Sequence, residues 1–265
     1  MPEMLEVETY RALAARCALD RRIAVVKAPD AWYLKRGLQA PLLEVLVGSA
    51  FVTARRLGKL LLLGTRTPEG GIGPVLGLRF GMSGRLEVDG TPGVGELLYS
   101  SNGVLPRYER FRVVFADGGY LGVRDPRRLG GVELDPCVGR LGYDAASVTP
   151  SQLARALATS RTPLKARLTD QAHLAGIGNL TADEVLWQAG LSPLRPAGGL
   201  SPAEVRRLHR HLRATLLELG RRGGSHTGDL MPQRVPGGMC PRDGRPLRRD
   251  KVGGRTTFWC PAHQL

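Results

Sequence analysis

The segment Arg110–Val123, which reads RFRVVFADGGYLGV, has apolar residues on both sides of a turn. Phe111, Val113 and Phe115 are spaced two residues apart, so their side chains point to the same face of an extended strand. Positions 117–119 read Asp-Gly-Gly, which is typical of a hairpin turn because glycine readily adopts the backbone angles that such turns need. The segment therefore predicts two paired strands with one buried face.

The flanking sequence extends this strand-rich pattern over the first half of the chain. Residues 7–17 place Val7, Tyr10 and Ala14 at helical spacing and predict one amphipathic helix. Glycine-rich turns separate short apolar segments, which favours a β-sandwich or a barrel. Strands are predicted at Ile23–Lys27, Lys59–Leu63, Val75–Phe80, Arg85–Val88, Arg110–Phe115 and Tyr120–Val123.

The second half changes to helical spacing. Residues 131–148, with Pro136 and several glycines, predict a connector. Three capping-box sequences follow, in which a Ser or Thr hydroxyl and a Glu or Gln three residues later satisfy the first backbone N–H groups of a helix. The third box precedes a leucine-rich helix that is predicted to end at Gly220. The boxes are Thr149–Gln152, Thr181–Glu184 and Ser201–Glu204.

The charge balance indicates the class of partner. Lysine and arginine total 38 and aspartate and glutamate 24, which gives a formal net charge of +14. This excess predicts a polyanionic partner, with nucleic acid the first choice and an acidic membrane the second. No apolar run is long enough to span a bilayer and no signal-peptide pattern is present, so we expect a cytoplasmic protein with no membrane partner. Four scattered cysteines do not make a disulfide framework.

The N-terminal residues 1–6 read MPEMLE and could carry covalent catalysis. Removal of the initiator methionine would leave Pro2 with a free secondary amine, and an α-amino group titrates near about pH 8. Attack of this amine on a sugar C1′ would give a cationic iminium. Glu3 and Glu6 supply carboxyl groups for acid–base work on an N-glycosidic bond. The alternative is structural, because both glutamates also suit the first turn of the following helix.

A glycine-rich turn at Leu174–Asn179, LAGIGN, lies between two predicted helices. Gly176 and Gly178 predict tight turns with positive φ. The backbone N–H groups and the Asn179 amide would then suit a phosphate. The alternative is an ordinary turn between helices, where glycine is common.

The tail from Gly237 to Leu265 has two knuckles at either end of a predicted hairpin. One knuckle contains Cys240 and Asp243, and the other contains Cys260 and His263. Zinc accepts thiolate, carboxylate and imidazole ligands, so we expect one structural Zn²⁺ held by these four residues. The alternative makes Asp243 part of an ordinary turn and His263 a frayed terminal residue.

Together these features resemble the formamidopyrimidine-DNA glycosylase / endonuclease VIII family, and the resemblance covers nearly the whole chain. Each motif is modest alone, but they occur in the order of the family. The motifs are residues 1–8 (MPEMLEVE), 55–59 (RRLGK), 81–84 (GMSG), 125–130 (DPRRLG), 174–179 (LAGIGN) and the tail with Arg255 before its aromatic-Cys pair.

The resemblance implies an α+β fold class with several domains. They are an N-terminal catalytic β-sandwich with an N-terminal helix at 1–132, a linker at 133–148, a helix-two-turn-helix DNA-binding domain at 149–235 and a zinc-finger β-hairpin at 236–265.

The resemblance also implies a function, a bifunctional DNA glycosylase/AP lyase of base excision repair. It would act as a monomer on damaged double-stranded DNA and remove oxidised or ring-opened bases. Pro2 would displace the base through the iminium, Glu3 would move protons, and β- and δ-elimination would cut the strand. Lys59 would serve a lesion-strand phosphate and proton chemistry, Asn179 and Arg255 would hold phosphates, and Met82, Arg127 and Leu129 would fill the gap left by the extruded base.

The chain also departs from the family pattern. Leu129 stands where the enzymes for oxidised purines usually have Phe, and Thr181 stands where Tyr is frequent. Residues 223–230 match the base-capping loop of those enzymes only in their Gly-Gly-Ser start. Asp243 and His263 replace two cysteine ligands. These departures leave the choice between purine and pyrimidine lesions open.

Two other functions fit parts of the sequence. A DNA-binding protein without catalysis would use the basic second half, but it has no need of an amine beside a carboxylate. A zinc-ribbon RNA-binding protein would need aromatic stacking surfaces, and aromatic residues are only 5% of this chain.

Overall fold

The computed structural model of the protein describes residues 2–95, 97 and 105–265. The chain divides into two compact units, one made of Met1–Pro2 with Glu6–Val138 and the other of Glu3–Leu5 with Gly139–Leu265. Met1, whose removal the N-terminal chemistry requires, lies outside the described residues. Each unit has its own hydrophobic core.

The first unit combines an N-terminal helix with two antiparallel sheets. Helix α1 spans Met4–Cys17 and so begins earlier than the predicted residue 7. Phe51 of one sheet meets Phe115 of the other edge to face, with ring centroids 6.4 Å apart, so the sheets share one core. One sheet has the order β2–β3–β4–β9, with β2 Ala50–Leu57, β3 Leu60–Arg66, β4 Ile72–Arg79 and β9 Gly131–Leu134. The other has the order β1–β7–β8–β5–β6, with β1 Ile23–Lys27, β5 Arg85–Val88, β6 Thr91–Pro92, β7 Glu109–Phe115 and β8 Tyr120–Arg124.

The hairpin on which the fold prediction rests is confirmed. Val113 of β7 lies opposite Leu121 of β8, and Gly118 in the turn has φ +90°. Strands β2, β6 and β9 of this unit were not predicted, and β9 lies inside the predicted connector, where Val132 pairs with Leu78 of β4. A four-residue strand is too short for its alternation to stand out from a glycine-rich connector.

The second unit is helical and ends in a hairpin. Its core is formed by the apolar faces of the helices, including the predicted leucine face of the longest one. The helices are α2 Pro150–Leu157, α3 Leu164–Leu168, α4 Asn179–Ala189 and α5 Pro202–Arg221. The strands are β10 Tyr143–Asp144, which pairs with β11 Leu174–Ala175, and β12 Arg248–Val252, which pairs with β13 Arg255–Trp259.

Two of the three predicted capping boxes are confirmed. The Thr149 hydroxyl accepts a hydrogen bond from the Gln152 backbone N–H at 3.2 Å, and the Gln152 side chain accepts one in return. Ser201 and Glu204 form the same reciprocal pair at the start of α5. These helix starts are therefore fixed by residues within one turn of sequence.

The helix start at Thr181–Glu184 and one helix end were predicted wrongly. Helix α4 begins at Asn179, which places Thr181 inside its first turn. Helix α5 passes through Gly220 and ends at Arg221, and the chain adopts a positive φ of +102° only at Gly223. The left-handed residue that ends this helix is therefore a later glycine of the same run.

Candidate active site and metal centre

The Glu3 side chain is fully buried at the N-terminus of α4. Its carboxylate accepts backbone hydrogen bonds from Gly178 (2.9 Å), Leu180 (2.9 Å) and Thr181 (3.2 Å). N–H groups in the first turn of a helix have no partner within the helix, and the helix dipole favours negative charge there. Glu3 is therefore the N-terminal cap of α4, supplied by a residue distant in sequence.

This cap explains why the capping-box prediction failed. Thr181 Oγ1 is buried and has no hydrogen-bond partner among the described residues, because Glu3 already serves the N–H groups that a Thr cap would serve. The cap also explains why glycine occupies position 178, although its φ of −115° differs from the predicted positive value. A Cβ on Gly178 would lie 2.2 Å from the Glu3 carboxyl carbon, so glycine is needed for close approach. The positive φ occurs at Gly176 instead, at +114°.

The predicted phosphate site at this turn is changed by the same contacts. The backbone N–H of Gly178 in this turn, and those of Leu180 and Thr181 just after it, donate to Glu3 and are not available to a phosphate. The Asn179 side chain is half-buried, and within the described part of the chain its Oδ1 atom is buried without a hydrogen-bond partner. The group at this turn that can meet a ligand is therefore the Asn179 amide.

The other catalytic candidates lie in the first unit. Pro2 is buried, and Glu6 is 3% exposed in the first turn of α1. Burial and, second, the negative charge of Glu6 raise the pKa of Tyr10 well above its usual value. Lys59 is half-buried in the two-residue turn between β2 and β3, and not at the start of a strand as predicted. Gly58 before it has φ +57°, so a tight turn presents this lysine.

Two loops of the first unit are locked together beneath the residues predicted to enter DNA. Ser83 Oγ lies 2.5 Å from Asp125 Oδ1, and both side chains are fully buried. Asp125 also accepts hydrogen bonds from the backbone N–H groups of Arg127 (3.2 Å) and Gly130 (2.8 Å). At Gly81 (φ +56°) a Cβ would lie within 3 Å of the second loop's backbone. The loops therefore form one rigid element.

This element carries Met82, Arg127 and Leu129. Met82 is half-buried, while Leu129 is 54% exposed, which is unusual for a large apolar side chain. The two neighbouring arginines differ, because Arg128 pairs with Asp30 at 2.7 Å. In the described part of the chain, no ion pair or side-chain hydrogen bond holds the exposed Arg127 guanidinium. Of the two arginines, Arg127 is thus the one available to a ligand.

A buried ionic cluster in the second unit was not predicted from the sequence. Lys165 Nζ and Arg234 Nη2 lie 2.7 Å and 2.8 Å from the Asp183 carboxylate, and all three side chains are buried. Lys165 Nζ also donates to Thr257 Oγ1 (2.7 Å), and Asp183 accepts from the Phe258 backbone N–H (3.3 Å). Burial lowers the pKa of Lys165. The cluster joins α3 and α4 to strand β13.

Arg255 begins β13 and is exposed. Its Nη1 atom donates to the backbone carbonyl of Gly253 at 3.2 Å, within the turn of the hairpin. Because Arg255 is exposed, the hairpin presents a positive charge at its tip. Burial of Phe258 and Trp259 on the same strand fixes the strand that carries it.

The four predicted metal ligands come together. The ligand atoms of Cys240, Asp243, Cys260 and His263 all lie within 4.8 Å of one another. Cys260 Sγ is 3.2 Å from Asp243 Oδ2, and His263 Nδ1 is 3.6 Å from Cys240 Sγ. Two buried thiols, one imidazole and one carboxylate are a donor set that zinc accepts in tetrahedral sites. The residues therefore fit a closed structural metal site.

The protonation of this cluster follows from its surroundings. Burial raises the pKa of the Cys260 thiol to about 11. The backbone N–H of Arg245, which donates to Asp243 Oδ1 at 3.0 Å, holds the pKa of Asp243 well below its usual value. A metal ion that binds here displaces the thiol proton, because thiolate is the ligand form.

Among the described residues, no helix is both long and apolar enough to cross a bilayer.

Comparison with known proteins assigns both halves of the chain. Residues 1–132 match the family model described as "Formamidopyrimidine-DNA glycosylase N-terminal domain", and residues 141–229 match "Formamidopyrimidine-DNA glycosylase H2TH domain". A formamidopyrimidine-DNA glycosylase of Symbiobacterium thermophilum is 35% identical over 100% of this chain and 89% of its own length. One from Thermus thermophilus is also 35% identical, over 100% of this chain and 98% of its own length.

A solved structure has the same fold. The complex between Lactococcus lactis Fpg and DNA containing an abasic site aligns with a TM-score of 0.82 at 24% identity and covers 100% of both chains. A second Lactococcus lactis complex, with DNA containing N7-benzyl-Fapy-dG, also gives 0.82 and covers 99% of each chain. The two-sheet domain, the helical domain and the terminal hairpin thus occur together in solved proteins.

Proposed function

The chain belongs to the formamidopyrimidine-DNA glycosylase family, and we propose that it excises damaged bases with the Pro2 amine as nucleophile and Glu3 as proton-transfer group. It is a DNA glycosylase of base excision repair with AP lyase activity. The observation that carries the assignment of residues is the Glu3 carboxylate, which follows Pro2 in the chain and is held by three backbone N–H groups.

Glu3 is the proton-transfer group in this proposal. The Pro2 nitrogen attacks C1′ and the bond from C1′ to the ring oxygen breaks, while Glu3 carries the proton lost by the nitrogen to that oxygen. The N-glycosidic bond then breaks as the iminium forms, and the base leaves with its electron pair and takes a proton from water. The iminium acidifies the neighbouring C–H for elimination.

Borohydride trapping on duplex DNA with an abasic site tests the nucleophile. The protein that begins at Pro2 should form a covalent adduct, because a secondary amine gives a reducible iminium. Protein with one additional residue before Pro2 should form none, because an amide nitrogen is not nucleophilic. Equal adduct with both proteins would contradict the assignment. The same assay excludes a DNA-binding or RNA-binding protein without catalysis if the adduct forms.

The two candidate carboxyl groups can be separated by parallel variants. Glu3→Gln should lose base excision and keep measurable adduct formation at a preformed abasic site, because the amine remains. Glu6→Gln reports on the second carboxyl group, which lies in the first turn of α1. Native excision by Glu3→Gln, with loss in Glu6→Gln, would transfer the proton role to Glu6.

We further propose that the DNA contacts divide into phosphate and gap-filling groups. Lys59, Asn179 and Arg255 hold phosphates, and the buried Oδ1 atom of Asn179 without a partner in the described part of the chain supports this for Asn179. Met82, Arg127 and Leu129 fill the space of the extruded base, as their common rigid element supports.

The lesion preference is tested with a duplex panel. Extrusion is least costly for a damaged or mismatched base, and the smaller Leu129 in place of Phe removes aromatic stacking from the gap. We propose oxidised or ring-opened bases as substrates. Duplexes with 8-oxoguanine, formamidopyrimidine, thymine glycol or an abasic site should show at least one base excised faster than from undamaged DNA, and cleavage of the abasic site alone would contradict the glycosylase assignment.

The hairpin carries one structural Zn²⁺ in this proposal. The compact set formed by Cys240, Asp243, Cys260 and His263 supports it. Protein prepared with zinc present should contain one equivalent by elemental analysis, and Cys260→Ser should contain less. Absence of bound metal from both preparations would contradict the proposal.

In this proposal the protein acts as a monomer, and each of four segments has its own role. Residues 1–132 carry the chemistry, 133–148 link, 149–235 bind DNA and 236–265 form the zinc hairpin. Sedimentation with and without a short duplex measures whether one chain binds one duplex.

A further inference from the structure

Trp187 contacts two of the four metal-ligand candidates. Its indole Nε1–H donates to Cys240 Sγ at 3.4 Å. Its backbone carbonyl lies 3.3 Å from His263 Nε2, and its ring packs edge to face against the His263 ring at 6.0 Å. The Trp187 side chain is 4% exposed, so these contacts are made away from water. Glycine, proline or an aliphatic residue could not make the first of them.

The carbonyl contact decides which nitrogen of His263 faces the ligand set. A carbonyl oxygen only accepts hydrogen bonds, so His263 Nε2 must carry the proton. In the neutral imidazole, which is the form that binds a metal, Nδ1 then has the free lone pair, and it is the atom near Cys240 Sγ (3.6 Å) and Asp243 Oδ2 (3.3 Å). The Trp187 carbonyl also accepts the backbone N–H of Gly190 at 3.2 Å, and a carbonyl oxygen has two lone pairs, so it can accept from both donors.

We propose that Trp187 is the positioning residue of the metal site, which fixes His263 for coordination through Nδ1 and donates a hydrogen bond to the Cys240 thiolate. The proposal rests on the zinc site proposed above. Outer groups of this kind fix the tautomer and orientation of a ligating histidine and tune the ligands, and their loss commonly lowers metal affinity about 10–100-fold. An N–H···S bond also withdraws charge from a thiolate ligand.

The first test identifies the coordinating nitrogen in the unmodified protein. Nitrogen-15 NMR of the zinc-loaded full chain should show His263 with a metal on Nδ1 and a proton on Nε2. Metal on Nε2 would overturn the proposal while leaving the zinc site in place. Absence of any bound zinc would overturn both, and the two failures are therefore distinguishable.

The second test compares two tryptophans of the second unit. Trp187→Phe keeps the backbone carbonyl and removes the N–H donor, so zinc affinity measured by chelator competition should fall about tenfold. The control is Trp259→Phe, because Trp259 is also buried but its indole donates to Asp250 at 2.7 Å instead of to a ligand. Loading with Co²⁺ gives a readout that a general loss of packing does not move.

The thiolate-to-cobalt charge-transfer band should shift to lower energy in Trp187→Phe, because the thiolate loses its hydrogen bond, and should stay in place in Trp259→Phe. Equal band positions and equal zinc affinities in the two variants would overturn the proposal. If Trp187→Phe does not fold, the nitrogen-15 measurement on the unmodified chain still decides the orientation of His263.

Discussion

Replacement of Glu3 by glutamine should destabilise the second unit as well as stop base excision. The carboxylate serves three backbone N–H groups through two oxygens, whereas an amide has one oxygen and an NH₂ group that cannot accept. At least one buried N–H then loses its acceptor, which costs about 1–3 kcal/mol. Loss of the charge at the helix N-terminus removes roughly 0.3–2 kcal/mol more. We expect the free energy of unfolding to fall by about 3 kcal/mol.

Urea unfolding and hydrogen exchange measure this loss. The amides of Gly178, Leu180 and Thr181 should exchange on the order of a hundredfold faster in Glu3→Gln, since every 1.4 kcal/mol is about a factor of ten. Gly178→Ala should lower the stability in the same direction without changing any charge, because its Cβ would overlap the Glu3 carboxyl carbon at 2.2 Å. Gly199→Ala is the control, because the nearest atom to its Cβ is 4.0 Å away. Unchanged urea midpoints and exchange rates in Glu3→Gln would refute the cap.

Three further outcomes follow from the contacts. Ser83→Ala removes the hydroxyl that holds Asp125 and should slow excision of a damaged base more than cleavage of an abasic duplex; equal slowing of both would contradict a role in filling the gap. Arg255→Ala should weaken binding to every duplex sequence and reduce the slope of log K against log salt by about 1, and an altered sequence preference with an unchanged slope would refute a phosphate contact. Arg195 lowers the pKa of Glu204 to about 2, so the stabilising contribution of this pair is complete above the unfolded pKa of about 4.5 and is lost as the pH falls toward 2. Unfolding of Glu204→Gln should therefore differ from the parent at pH 6 and converge with it near pH 2.

The sequence correctly predicted those helix starts whose capping contacts are made between residues close together in the chain. The caps at Thr149 and Ser201 were correct because donor and acceptor lie within one helical turn. The start of α4 was wrong because its cap, Glu3, comes from the other end of the chain, and no local pattern encodes that pairing. Gly178 was assigned to a turn for the same reason, although its role is to leave room for a carboxylate.

In the candidate sites, too, contacts that follow from residue spacing were predicted and contacts that depend on the fold were not. Spacing alone indicated that Cys240, Asp243, Cys260 and His263 share one hairpin, and the structure brings their ligand atoms together. The contacts of Trp187 could not be predicted, because one involves a backbone carbonyl, which every residue has. The hydrogen bond between Ser83 and Asp125 joins residues 81–84 to residues 125–130, which are more than 40 positions apart in the sequence. This contact could not be predicted, because it depends on the fold of the whole domain.

The ionic cluster of Lys165, Asp183 and Arg234 gives the terminal hairpin a second attachment to the helices. Strand β13 is held at Thr257 and Phe258 by groups that do not depend on a metal. The ligand-candidate end and the strand end of the hairpin are held by separate contacts, so we expect loss of a metal ion to leave β13 attached to the helices. The exposed Arg255 at the start of β13 would then keep its support whichever residues bind the metal.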